Sequence, residues 1–139
     1  MSGLGACTIV GLLGDGTPVM ERAGRRTPQP LAGIEVPQPP SEEYVRFFRE
    51  RLPRARELRC DETPHGLRVE YLAWIDKSGP VWRDVALALL REGLVRAVPG
   101  PSRAQEEYVE EERQARRRRA GIWAGEEPTG ASPSDVPSS

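Results

Sequence analysis

From Asp84 to Trp123 the chain reads DVALALLREGLVRA, then VPGPS, then RAQEEYVEEERQARRRRAGIW. With Trp82 just upstream, Val85, Ala86, Leu89 and Leu90 recur at helical spacing, which predicts an amphipathic helix that Gly93 ends. Leu94–Val98 is short and apolar enough for a last strand. Pro99, Gly100 and Pro101 break it, and a long charged helix is predicted from Arg103 to Ala120. Its apolar stripe is thin: Tyr108, Ala115 and, just past its end, Ile122 and Trp123. Such a helix lies on the surface and is held by a few anchors.

Upstream, Leu67–Ile75 alternates. Leu67, Val69, Tyr71, Ala73 and Ile75 share one face, and Arg68, Glu70, Leu72 and Trp74 the other, which predicts a strand. Asp76–Gly79 is a turn, and the pattern leaves open where strand becomes helix between Pro80 and Asp84. Ala55–Asp61 alternates in the same way, and Glu62–Gly66 is a turn. Ser41 stands as an N-cap before Glu42 and Glu43, and Tyr44, Phe47, Phe48 and Leu52 follow at helical spacing as far as Pro53. A helix over Glu42–Leu52 with an aromatic, core-facing stripe is expected. Ala6–Leu13 and Pro18–Arg22 flank Gly14-Asp15-Gly16 and predict a hairpin. Within Arg25–Val36, Pro28 and Pro30 lack the N–H a ladder needs, which restricts that part to a sheet edge, a bulge or an extended loop. Pairing is expected to resume near Leu31.

With 139 residues, one domain is the simplest count, over residues 1–123, followed by a polar tail, 124–139, whose Pro, Ser and Gly content predicts disorder. The 20 basic and 21 acidic side chains leave a net charge of -1, so the chain as a whole has no positive field for nucleic acid, and any anion binding must be local. Cys7, Cys60 and the single His65 are too few for a structural zinc. The two cysteines sit in apolar, strand-like surroundings and read as small buried hydrophobes in preference to a disulfide. The longest apolar run, Ala6–Leu13, is too short for a membrane span or for the core of a signal peptide with its cleavage site. A cytoplasmic monomer is expected.

Three segments carry a resemblance. Leu31-Ala32-Gly33-Ile34-Glu35-Val36-Pro37-Gln38 resembles R-L-x-G-I-D-x-P-E, Asp84–Ala97 resembles (V)-N-x-x-L-V-x-x-G-L-A, and Glu112–Trp123 resembles E-x-x-A-(x5)-G-I-W. All three belong to the staphylococcal nuclease-like family and occur here in its order. The resemblance implies an α+β fold: a five-stranded OB-type barrel with about three packed helices. It also implies hydrolysis of a phosphodiester in DNA or RNA, with calcium held by aspartates, a glutamate activating water and two arginines stabilising the transition state.

Carried over residue by residue, that machinery is incomplete. The first arginine falls on Pro30, the glutamate on Gln38 and the second arginine on Leu67, and all three are neutral. Arg68 is one residue away from a rescue, but one residue in a strand reverses the face. Asp15 and Glu35 fall where calcium ligands would be. The lysine and tyrosine of the nucleotide pocket fall on Pro64 and His65. The resemblance therefore implies a nuclease fold without nuclease chemistry, an interaction module for a protein or nucleic acid, with no cofactor unless calcium binds. Two alternatives stand beside it: a calcium-dependent phosphodiesterase with a rearranged site, and a non-cleaving binder of single strands. The binder would use Arg68, Arg116, Arg117 and Arg119. Against a nucleic-acid patch, the run Arg116–Arg119 fans round its helix and follows a glutamate-rich first half, the polarity a helix dipole favours.

Overall fold

Strand and helix propensities alternate along the chain, and the fold is α+β. In the computed structural model, residues 5–125 are described except 56, 76 and 78, and residues 74 and 75 by backbone alone. β1 (Gly5–Ala6) and β2 (Thr8–Leu12) are separated by one residue. β2, β3 (Pro18–Arg22) and β4 (Arg25–Pro28) form an antiparallel meander, with a bulge in β2 between Ile9 and Gly11. The hairpin matches the Gly-Asp-Gly signal. Pro28 lies at the end of an edge strand, where its missing N–H costs nothing.

β1 also pairs with β6 (Leu58–Thr63), which pairs with β7 (Gly66–Ile75), which pairs with β8 (Gly79–Asp84), all antiparallel. β5 (Ile34–Glu35) pairs with β9 (Arg96–Ala97). The strands thus hydrogen-bond as sheets of four, three and two, and they close no barrel among the described residues. A parallel bridge joins Leu31, between β4 and β5, to β7: the Leu67 N–H donates to the Pro30 carbonyl at 2.8 Å and the Ala32 N–H to the Leu67 carbonyl at 2.9 Å.

α1 (Glu42–Arg46) opens with the Ser41 hydroxyl accepting the Tyr44 N–H at 3.1 Å. It runs on through a π turn, Phe47–Arg51, into a 3-10 turn, Leu52–Arg54, whose Pro53 has no N–H to continue a ladder. Tyr44, Phe47, Phe48 and Leu52 are buried with Leu67, Val69, Leu89 and Leu90, so the aromatic stripe is core. α2 (Val85–Arg91) begins one residue after β8, at the Asp84 cap. Trp82 belongs to the strand. α3 (Arg103–Arg118) starts with a capping box between Ser102 and Gln105 and buries Tyr108 and Ala115.

The two ends of this helical pair meet at glycines. Gly93 has φ +73°, and a Cβ there would lie 2.1 Å from the Ala120 carbonyl oxygen. One on Gly121 would lie 2.3 Å from the Gly93 oxygen, which instead accepts the Ile122 N–H at 2.8 Å. Trp123 is buried beyond this crossing. The tail expected from Ala124 lies outside the described residues after Gly125.

Cys7 and Cys60 correct the sequence reading: they are joined in a disulfide, with Cα atoms 5.9 Å apart. Each sits in a strand-like apolar run, as expected. What brings them together is the pairing of β1 with β6, where Gly5 lies opposite Cys60. Residues 53 apart in sequence carry no local sign of that register.

Candidate functional site

The β2–β3 turn and the segment from Pro30 to Gln38 enclose a cleft of about 160 Å³, with Asp15, Gly16, Thr17, Leu31 and Tyr44 in its wall. Asp15 is exposed at the turn, and its Oδ1 accepts the Thr17 N–H at 2.9 Å. Hydrogen bonding from Thr17, by its hydroxyl first and its N–H second, holds the Asp15 carboxyl below the usual carboxylate range. Tyr44 closes the cleft floor by donating its hydroxyl to the Gly16 carbonyl at 2.5 Å, and burial pushes its phenol well above the ordinary value.

Glu35 does not join Asp15 in this cleft. Ile34 and Val36 line the wall, and Glu35, between them in an extended segment, is exposed opposite Arg96 in the β5–β9 register. No group of three or more His, Cys, Asp or Glu side chains suited to a metal occurs among the described residues.

Pro30 lines the cleft and contributes its carbonyl to the contact with Leu67. Gln38 donates from Nε2 to two carbonyl oxygens, Asp15 at 2.9 Å and Val36 at 3.0 Å. Such a position needs a donor. A glutamate has none when ionised and would set its charge against two lone-pair-bearing oxygens. Leu67 is 1% exposed and sits in the core. His65 is in the exposed β6–β7 turn, where its N–H donates to the Thr63 hydroxyl.

Arg68 faces away from Leu67 as the alternation requires, and its exposed side chain is engaged by two carboxylates. Its guanidinium reaches Glu70 at 3.0 Å and Asp84 at 3.6 Å. Arg59 meets the other Glu70 oxygen at 2.6 Å and lies 4.0 Å over the Trp82 ring. Asp84 caps α2 through Oδ1 and accepts the Tyr108 hydroxyl at Oδ2, 2.6 Å away. Burial pushes the Asp84 carboxyl up, and the Tyr108 hydrogen bond, Arg68 and the α2 N–H groups pull the other way. This chain of charges ties β6, β7 and β8 to α2 and α3. The alternation in β7 placed Arg68 beside Glu70, but Arg59, Asp84 and Tyr108 come from elements that only the tertiary fold brings together.

The four arginines of α3 diverge. Arg116 stacks 4.4 Å from the Trp123 ring with Glu112 beside it at 3.9 Å, and Arg118 donates to the Arg91 carbonyl at 2.6 Å. Arg117 and Arg119 are exposed. Two of the four thus hold the helix end in place, and no single patch of four forms.

No protein-family model matches the chain, and no curated protein matches it. No helix among the described residues is long and apolar enough to cross a membrane.

Proposed function

We propose that this chain is a non-hydrolytic domain of the staphylococcal nuclease-like type, a monomeric module that works by binding a protein partner. The carrying observation is the Gln38 amide, clamped between the carbonyl oxygens of Asp15 and Val36 where the resemblance would require a glutamate base. Pro30 and the buried Leu67 supply no charge at the two arginine positions. Phosphoryl transfer is catalysed almost wholly by placed charge, so a cleft with one exposed carboxylate and no cation has little to offer a transition state.

The path of the strands supports an OB-type barrel as the underlying plan. From β2 through β3 and β4 the chain reaches Leu31, whose parallel contact with Leu67 leads to β7, β6 and β1, and β1 runs back into β2. The disulfide bears on location. Stable disulfides belong to oxidising compartments, which favours one of those over the cytoplasm expected from the shortness of the apolar run Ala6–Leu13.

The test is to incubate the protein with denatured DNA and with RNA, in calcium and in chelator, and to titrate labelled single strands at low and high salt. No cleavage and no salt-sensitive binding are expected. Calcium-dependent cleavage lost in Asp15→Ala or Glu35→Ala would overturn the proposal in favour of the phosphodiesterase. Tight, salt-sensitive binding without cleavage would replace it with a single-strand binder.

A further inference from the structure

Where β8 forms the edge of the four-stranded sheet, a second cavity of about 280 Å³ opens between β8, α2 and the turn after α1. Arg83 and Tyr71, directly opposite each other in the β7–β8 register, both line it. Cross-strand partners project to the same face, and Tyr71 packs edge-on to Phe47, so Arg83 stands on the core-facing side of an edge strand. It is half-buried, and among the described residues it has no carboxylate partner.

The other two arginines of the wall are already committed. Arg51 is held in a two-pronged pair by Glu92 and lies over the Phe47 ring at 5.0 Å. Arg91 pairs with Glu111 at 3.1 Å. The carboxylate of Asp84 is taken up by the α2 N–H groups, Arg68 and Tyr108. What is left is a single guanidinium, rigid in its fork of donors, beside a phenol. Burial pushes the Tyr71 phenol up, outweighing the nearby arginines, which keeps it a protonated donor at neutral pH. Leu87 and Ala88 provide an apolar wall.

We propose that this cavity binds a small organic monocarboxylate, with the carboxylate on Arg83 and the Tyr71 hydroxyl and the apolar body against Leu87 and Ala88. A guanidinium matches a carboxylate through two parallel hydrogen bonds. One uncommitted cation balances one negative charge, and a phosphate dianion would leave half of its charge buried without a counter-ion. The volume is at the small end for ligand pockets, which suits a single ring or a short chain. The site shares no side chain with the cleft of Asp15 and Gln38, so either proposal can fail without the other.

The test uses the full chain and three probes, benzoate, benzyl alcohol and inorganic phosphate, followed by calorimetry and by the shifts of tryptophan indole resonances. Benzoate is expected to saturate in the millimolar range or below, and benzyl alcohol to bind at least about tenfold more weakly. Arg83→Leu should cost benzoate a similar factor with the cooperative melt retained. Tyr71→Phe, which removes one hydroxyl from the pocket, should weaken benzoate severalfold and decides the matter if Arg83→Leu does not fold. Equal binding of benzyl alcohol, tighter binding of phosphate, unchanged affinity in folded variants, or no saturation by benzoate would each overturn the assignment.

Discussion

Breaking the Cys7–Cys60 bond tests how much of the fold's stability rests on the junction of β1 with β6. The bond closes a loop of 53 residues that contains the whole meander, α1 and the start of β6. For a loop of that length the chain-entropy relation gives about 4 kcal/mol of stabilisation, acting on the unfolded chain. A domain of this size has only about 5–15 kcal/mol in total, so the loss is a large share. It also falls on a weak junction, since β1 is two residues long and depends on β6 for its pairing. The measurement is urea unfolding followed by tryptophan fluorescence, for the oxidised protein, the reduced protein and Cys7→Ser/Cys60→Ser. Both disulfide-free forms should unfold at clearly lower urea, with a stability deficit of about 2–4 kcal/mol once native-state relaxation is allowed for. Coincident midpoints would refute the reasoning. So would two titratable thiols in the native protein prepared without reductant.

Two further outcomes follow from the packing. Gly93→Ala places a methyl 2.1 Å from a backbone oxygen at a φ of +73°, so the α2–α3 crossing must open; a loss of at least about 2 kcal/mol is expected, read as a melting temperature lower by roughly 5 °C or more. An unchanged melt would mean that α3 does not end against Gly93. The Asp84 carboxyl, raised above 3.8 by burial, binds protons in the folded state that it has released in the unfolded one. Its contribution to stability therefore falls as pH rises through the window just above 3.8. Tyr108→Phe removes a hydrogen bond that holds this carboxyl down, so it should titrate higher still in a carbon-13 NMR titration. An Asp84 that titrates below 3.8 would contradict the burial argument.

The candidate cleft was legible in part. Neutral residues at Pro30, Gln38 and Leu67 follow from reading the sequence against a resemblance, and the burial of Leu67 follows from the period-2 alternation of β7. The task of Gln38 was not legible, because its two acceptors include a carbonyl 23 residues away. The setting of Arg68 is legible by half: Glu70 lies two residues along the same strand, whereas Asp84 comes from another element. Nothing in the local sequence marks Arg83. Only the register of β8 on β7 sets it opposite Tyr71, inside a cavity.

By itself the sequence determined the elements: the hairpin at Gly14-Asp15-Gly16, the capped aromatic helix, the alternating β7 and the glycine-ended α2. These depend on periodicity, caps and turn residues, which act over a few positions. Tertiary structure decided what those elements meet. It paired β1 with β6 and so made the disulfide, tied Arg59, Arg68, Asp84 and Tyr108 into one charged chain, and divided the strands into three sheets. Contacts of that kind are set by which surfaces bury one another, and that is a property of the whole chain.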